Sequence, residues 1–586
     1  MMKTQILPQY RAAESLDQRL GDPFAPDNVF SFGNAVALDE REEYPEEACQ
    51  ILDELKVFDH YIPAQLGGQL KSFEEFIAVL RVIARRDLTV AIAHGKTYLG
   101  AVATWVGGSG EQRRRLVEII KSGSQVALAL TERSHGSDLL ASEAVAERVV
   151  DGYSLSGEKW LINNATRGRV LTVFAKTGNS SDPRGFSLFL VKKNDRAGYK
   201  TLPKIKTHGI RGADISGISF DRLFLPEDAC IGRVGAGLEI MLKAFQLTRT
   251  VIPGLSLGAA DTALRVTLDF ALTRKLYGDS VFAIPHARRL LCDAFVDLLI
   301  CECVSIASAR SIHVEPEQMS VRSAISKFFV PTTVEKILKS LSVVMGARQY
   351  LRQEHCDGVF QKIYRDNGIL SLFDGSTAVN LHAIGAQLGQ LTRRVEHAER
   401  DDLSNRLARI FSLDQTLPEF DPVALELHNR GRDSVLQGLK LSLEKLSSLE
   451  LKDSATLELI MDRTRAILTE VENQRERVTA SLKDNGFNKS PEMFEQAEKY
   501  CVFEAAACCV HLWVHNREAL GEFFEQGDWL VLSLERLLVR LGRRRAILPS
   551  EHEQRVATEL ERLYHERRVF SVVPFQLATR ETIVER

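Results

Sequence analysis

The chain is short of cysteine, of net charge and of long apolar runs, and each shortage removes a class of protein. Nine cysteines in 586 residues are too few for a disulfide framework. The pairs Cys301/Cys303 and Cys508/Cys509 lie in apolar helical stretches without the spacing of a zinc knuckle, so buried, reduced thiols and no metal are expected. Lysine and arginine total 75 against 78 acidic residues, a formal charge of −3. That balance creates no field to draw nucleic acid or an anionic membrane, and neither is an expected partner. No stretch of 18 apolar residues occurs, which excludes a membrane-spanning helix. The N-terminal MMKTQILPQYRAAESLDQ lacks the apolar core of a signal peptide, so a cytoplasmic location is expected. Aromatic residues are 7% of the chain, and hydrophobic residues, 45%, suffice for several buried cores.

What is present changes character along the chain. Residues 1–125 have mostly helical periodicity, interrupted by a turn at Pro63-Ala64-Gln65-Leu66-Gly67-Gly68 and resumed in FEEFIAVLRVIARRD. Residues 126–235 switch to short β-rich runs, among them Val126 to Leu130, Val170 to Ala175 and Phe186 to Val191. Asp151-Gly152 marks a hairpin between two of these runs. Four long helical segments follow within 236–395, near 238–277, 287–312, 317–346 and 375–393. A charged stretch near 395–420, with Pro418 and Pro422, reads as a linker. A further helical region completes 396–586, with Leu457, Ile460, Met461, Leu468 and Val471 on one helical face and additional helices over 494–522 and 527–541. This α–β–α–α order contains neither alternating βαβ units nor a glycine-rich phosphate loop, so a Rossmann fold is not expected. The fold class is mainly α with a central β-domain.

Local motifs carry the functional information. LALTERSHGSD at 128–138, GEKWLINNA at 157–165, RKLYG at 274–278 and YRDNGILSLFDGST at 364–377 occur in the order and spacing of the acyl-CoA dehydrogenases. KTHGIRGAD at 206–214 and FLPEDACIGRVGAG at 224–237 add to the match. Over residues 40 to 395 the chain therefore resembles that flavoprotein family. The resemblance implies an N-terminal helical domain, a β-barrel, a four-helix bundle and FAD lying between barrel and bundle. The extra C-terminal helices resemble in placement those of the very-long-chain members.

The reaction so implied removes a proton α to an acyl thioester and passes hydride from the β-carbon to flavin N5. The substrate would be an acyl-CoA or an acyl carrier protein conjugate. An electron-transfer flavoprotein would accept the electrons, and the enzyme would be a homodimer or homotetramer. The family's base is a glutamate eight residues after the Asp of an RD pair. Here the pair is Arg365-Asp366 and the matching residue is Asp374. A carboxylate with an ordinary value near 4 is a weak base for a C–H proton, and a dry pocket would raise it. The shorter side chain withdraws the carboxylate by about 1.5 Å, one C–C bond. Asp374 could instead be a helix N-cap. The alternative base position of the family is held by Thr248, and Arg249 matches an arginine near base and substrate.

By the same resemblance, Leu130 and Thr131 meet the flavin pyrimidine, Gly136 allows close backbone approach and Ser137 reaches the pyrophosphate. Trp160 flanks the ring; a plain core aromatic is its alternative. Ile162 replaces the threonine whose hydroxyl bonds N5, which admits a second reading as an oxidase or monooxygenase. A non-catalytic assembly factor is a third. Arg274 pairs with the pyrophosphate of a neighbouring subunit's FAD, unless it is a solvated helix-end cation. Tyr277 and Gly346 belong to cofactor-contacting segments, and Ser376 keeps the family's hydroxyl. Leu276, Pro285, Val343 and Ala378 stand where many members have polar FAD contacts. Arg540, Arg543, Arg544 and Arg545 form a basic amphipathic patch that would touch membrane only peripherally, or else cap a helix end.

Overall fold

A computed structural model describes residues 6–179, 182–193, 198–393, 400–483 and 486–579, which form two compact units. One comprises Asn34–Lys71 and Asp87–Thr248 and carries the sheet; the other comprises Met1–Gly33, Ser72–Arg86 and Arg249–Arg586 and is helical.

In the sheet-bearing unit the helix Leu88–Gly107 starts where the Asp87 side chain accepts from the Thr89 amide. Eight strands follow: β1 Val126–Ala129, β2 Val145–Val149, β3 Gly152–Asn163, β4 Val170–Lys176, β5 Phe186–Lys192, β6 Tyr199–Thr201, β7 Ile215–Pro226 and β8 Cys230–Ile231. They form one sheet in the order β6-β7-β3-β2-β4-β5-β8, with β1 parallel to β4. Val149 pairs with Gly152, so the hairpin signal is real but its two-residue turn is Val150-Asp151, with Asp151 at φ 61°. Inward-facing residues such as Leu155, Ile162, Leu171, Val173, Phe189 and Ile218 make a continuous core. Gly100 is needed where the helix Leu88–Gly107 crosses β1, because a Cβ there would lie 2.6 Å from the Val126 backbone. Nearby, the Thr172 hydroxyl donates to the Gly100 carbonyl and the Asn164 amide to that of Ala93.

The helical unit contains Pro285–Val314, Met319–Met345, Thr377–Leu391 and, from Arg249 onward, the helix Gly237–Thr273. These are the four long helices expected from the periodicity. The supposed linker near 395–420 is partly wrong: Arg400–Phe411 is a helix with Leu407, Ile410 and Phe411 buried, and its high charge lies on the solvent face. Residues 394–399 of that stretch lie outside the described residues. The face assigned to Ser454–Ser481 is also rotated. Its buried seam runs Leu457, Ile460, Thr464, Ile467, Gln474 and Val478, whereas Met461, Leu468 and Val471 are only half-buried. Polar Thr464 and Gln474 hid the seam; their side chains donate to the Ile460 and Gln496 carbonyls.

Buried charge joins these later helices to the four-helix group. Arg322 bridges Glu315 (2.6 Å) and Asp433 (3.0 Å), and Tyr500 donates to Asp433. Arg310 binds Glu74 at 2.7 Å and the Ser412 carbonyl at 2.8 Å. Arg81 donates to the Phe570 carbonyl, and Glu302 accepts from the Val572 amide, anchoring the buried segment 569–573. The basic patch is similarly engaged. Arg540 pairs with Asp297, Arg543 with Glu470, and Arg545 with Asp293 and Glu553. Among the described residues no helix is long and apolar enough to cross a membrane.

Candidate functional site

The first motif leaves β1 and is held by a residue of the second. Lys159, fully buried on β3, donates to Glu132 at 2.7 Å, to the Ser142 hydroxyl at 3.0 Å and to the Leu130 carbonyl at 3.1 Å. Glu132 also accepts the Glu143 and Ala144 amides, so both its oxygens are engaged. Burial would raise the Glu132 carboxyl, but Lys159 and the surrounding donors outweigh it and hold the group at about 2. For Lys159 burial wins over Glu132's attraction and draws the ammonium down to about 8. Neither residue was singled out by the sequence; the only signal was that one motif offers a glutamate and the other a lysine.

The same pair of segments places Trp160. Its amide donates to the Thr131 carbonyl at 2.9 Å, and the Arg133 guanidinium lies 4.8 Å over its ring, a cation–π contact absent from the sequence reading. A register shift follows between Trp160 and Ile162, with Leu161 at φ 56°. The bulge leaves Leu161 exposed and turns Ile162 into the β core. Leu130, Thr131 and Trp160 are thus brought together. Gly136 and Ser137 are exposed on the loop beyond, and the space next to Gly136 is open.

In the helical unit the turn 368–376 follows the helix Val359–Asn367. That helix contains a buried Lys362–Asp366 ion pair (2.6 Å), and Lys327 donates to the Leu370 carbonyl at 2.6 Å. Asp374 sits on the turn at φ 56°, half-buried, and Gly375 follows at φ 100°. Arg249 donates from Nε to the Asp374 carbonyl at 3.2 Å, and a Cβ on Gly375 would come within 2.8 Å of its Nη2. Only glycine leaves room for that guanidinium and accepts that φ. Burial lowers Arg249 to about 10, against the pull of the Asp374 carboxylate. The helix Thr377–Leu391 is capped by Ser376, whose hydroxyl accepts from the Val379 amide. Asp374 is therefore not the N-cap. Thr248 donates its hydroxyl to the Phe245 carbonyl.

Arg274, Tyr277 and Gly346 also lie in the helical unit, all on the surface. Arg274 enters a small hairpin of Lys275–Leu276 and Asp279–Ser280, and Tyr277 at its tip is 99% exposed. Gly346 has φ 55° and open space around it.

Three family descriptions match in sequence: the N-terminal domain of acyl-CoA dehydrogenase over residues 30–124, the middle domain over 127–223 and the C-terminal domain over 235–389. Residues beyond 389 lie outside these matches. The probable acyl-CoA dehydrogenase fadE25 of Mycobacterium leprae is 27% identical over 348 residues, 59% of this chain and 88% of that protein. The structure of butyryl-CoA dehydrogenase from Megasphaera elsdenii superimposes with TM-score 0.60 at 21% identity, covering 66% of this chain and all of that one. The prolyl acyl carrier protein oxidase AnaB gives TM-score 0.60 at 20% identity, with 65% and 98% covered. On the three consecutive domain matches, the chain belongs to the acyl-CoA dehydrogenase family.

Proposed function

We propose that this protein catalyses FAD-dependent α,β-dehydrogenation of an acyl thioester carried by CoA or by a carrier protein. The observation carrying this reading is the Asp374 turn. A half-buried carboxylate projects from a backbone in the left-handed region, and a buried arginine fixes its carbonyl. A left-handed aspartate that is not a helix cap is the kind of backbone outlier that collects at reactive sites.

The residues present suit a flavin. The Leu130–Thr131 segment is immobilised by Lys159, Trp160 is half-buried with its amide on the Thr131 carbonyl, and Gly136 has space for close approach. When bound, FAD would supply the hydride-accepting chemistry. The chain's own work is then to hold and to move a proton. Asp374 takes the proton from the carbon α to the thioester carbonyl. In this reading its amide would donate to the thioester oxygen, where charge grows as that proton leaves. Arg249 keeps the turn in place through the Asp374 carbonyl. Exposed Arg274, Tyr277 and Gly346 suit contacts completed by a second copy in a homodimer or homotetramer. An electron-transfer flavoprotein would take the electrons onward.

Anaerobic titration of the FAD-loaded protein with a panel of acyl thioesters tests this. A matching substrate should bleach the flavin, and Asp374→Asn should retain FAD yet bleach roughly 10²–10⁴-fold more slowly. Unimpaired bleaching by the variant would remove Asp374 from the reaction. Ile162, buried in the β core without any polar atom, favours a second reading in which the reduced flavin hands its electrons to oxygen. Rapid reoxidation by air would select it.

A further inference from the structure

A second cluster of chemically capable side chains lies in the helical unit, where the end of the helix Gly237–Thr273 meets the loop before Val359. Asp269, His355 and Cys356 each direct one donor atom to a common point, all within 4.8 Å of one another. His355 Nε2 is 3.4 Å from Cys356 Sγ and 3.6 Å from an Asp269 oxygen. The edges of a tetrahedral zinc site, with Zn–S about 2.3 Å and Zn–N and Zn–O about 2.1 Å, are about 3.4–3.6 Å. The two distances are those of a coordination shell before any rearrangement. The Val266 carbonyl oxygen accepts from the same nitrogen at 2.8 Å, which aims the imidazole edge at the cluster.

We propose that Asp269, His355 and Cys356 form a binding site for one zinc-class divalent ion that clasps the 346–358 loop to the long helix. The proposal is independent of the dehydrogenase reading.

The surroundings support a metal over a plain hydrogen-bonded cluster. Tyr564, from the helix Ser550–His565, donates to the other Asp269 oxygen at 2.5 Å. Such an outer bond orients a ligating carboxylate. Cys356 and Asp357 are both left-handed, at φ 51° and 57°, a fold of the chain that sets the thiol beside the preceding imidazole. On binding, the imidazole proton moves from Nε2 to Nδ1, the thiol loses its proton to solvent, and two bonds to the ion form in their place. The half-buried state of all three ligands leaves an entry path. A second grouping, Glu132, His135 and Glu143, lacks this character because Glu132 is already fully engaged by Lys159, Ser142 and two amides.

The experiment is metal analysis of the full chain purified with zinc present, followed by Co²⁺ titration of chelator-stripped protein. The proposal expects one tightly held zinc per chain and a thiolate-to-cobalt charge-transfer band that saturates at one equivalent. Cys356→Ser should lose the charge-transfer band, His355→Ala should lose the equivalent, and Tyr564→Phe should weaken binding roughly 10–100-fold. A wild-type chain that holds no zinc and gives no thiolate–cobalt band overturns the site, whatever its flavin does. So does an unchanged metal content in a folded His355→Ala/Cys356→Ser double variant. Should the variants fail to fold, the wild-type cobalt spectrum alone decides.

Discussion

The two segments assigned to the reaction are built on opposite principles. At the β1–β3 edge, Lys159 and Glu132 form a buried ion pair in which every Glu132 oxygen and three acceptors around Lys159 are used. At the Asp374 turn, the residue is half-buried and its backbone is held through Arg249 and the absent Cβ of Gly375. The first arrangement engages side chains on both partners; the second holds the main chain through a side chain and a missing Cβ.

The comparison breaks most visibly at Lys159. Lys159→Met keeps the stem of the side chain but strands Glu132 as a buried charge and leaves the Leu130 carbonyl without its donor. Loss of one partner of a buried pair costs about 3–5 kcal/mol. Chemical denaturation of the sheet-bearing unit, followed by Trp160 fluorescence, should show that loss, together with weaker FAD retention. A stability equal to wild type would mean that the pair is not what holds the edge.

Arg249 sharpens the other half. Arg249→Gln retains a donor but removes the charge and shortens the reach to the Asp374 carbonyl. A displacement of about 1 Å at a reacting group can cost roughly a hundredfold in rate. The expected result is a fall of that order in anaerobic bleaching, with FAD content and melting temperature near wild type. Equal rates would reduce Arg249 to a packing residue.

How much of this was readable in the sequence depends on the kind of pattern involved. The four long helices and the strands β4 and β5 were readable because apolar period and turn residues act locally. The family was readable from the order of its motifs. The Arg400–Phe411 helix was missed because charge on a solvent face resembles a linker, and the Ser454–Ser481 seam because Thr464 and Gln474 are satisfied inside it. The Lys159–Glu132 pair and the Asp269–His355–Cys356 cluster join residues 27 and about 86 positions apart. No periodicity encodes such meetings; only the folded chain brings them together. Arg133 over Trp160 escaped for the same reason.

The smallest expected effect is in acid. Glu132 is held at about 2 in the folded chain against an ordinary value of 4.5, so the unfolded chain binds the extra proton between those values. Its contribution to stability is therefore complete above about 4.5 and is lost as the pH falls towards about 2. Asp17, Asp261 and Asp297 are also held low by arginines and titrate in the same direction, so the total slope cannot be assigned to one group. The difference between wild type and Glu132→Gln isolates it. Glutamine keeps the shape and loses the titration, so wild type should lose more stability than the variant across that window, measured by denaturation at successive pH values. If Glu132→Gln and wild type fall in parallel, the rigidity of the β1–β3 edge does not come from the charge on Glu132, and the contrast between the two segments fails at its stronger end.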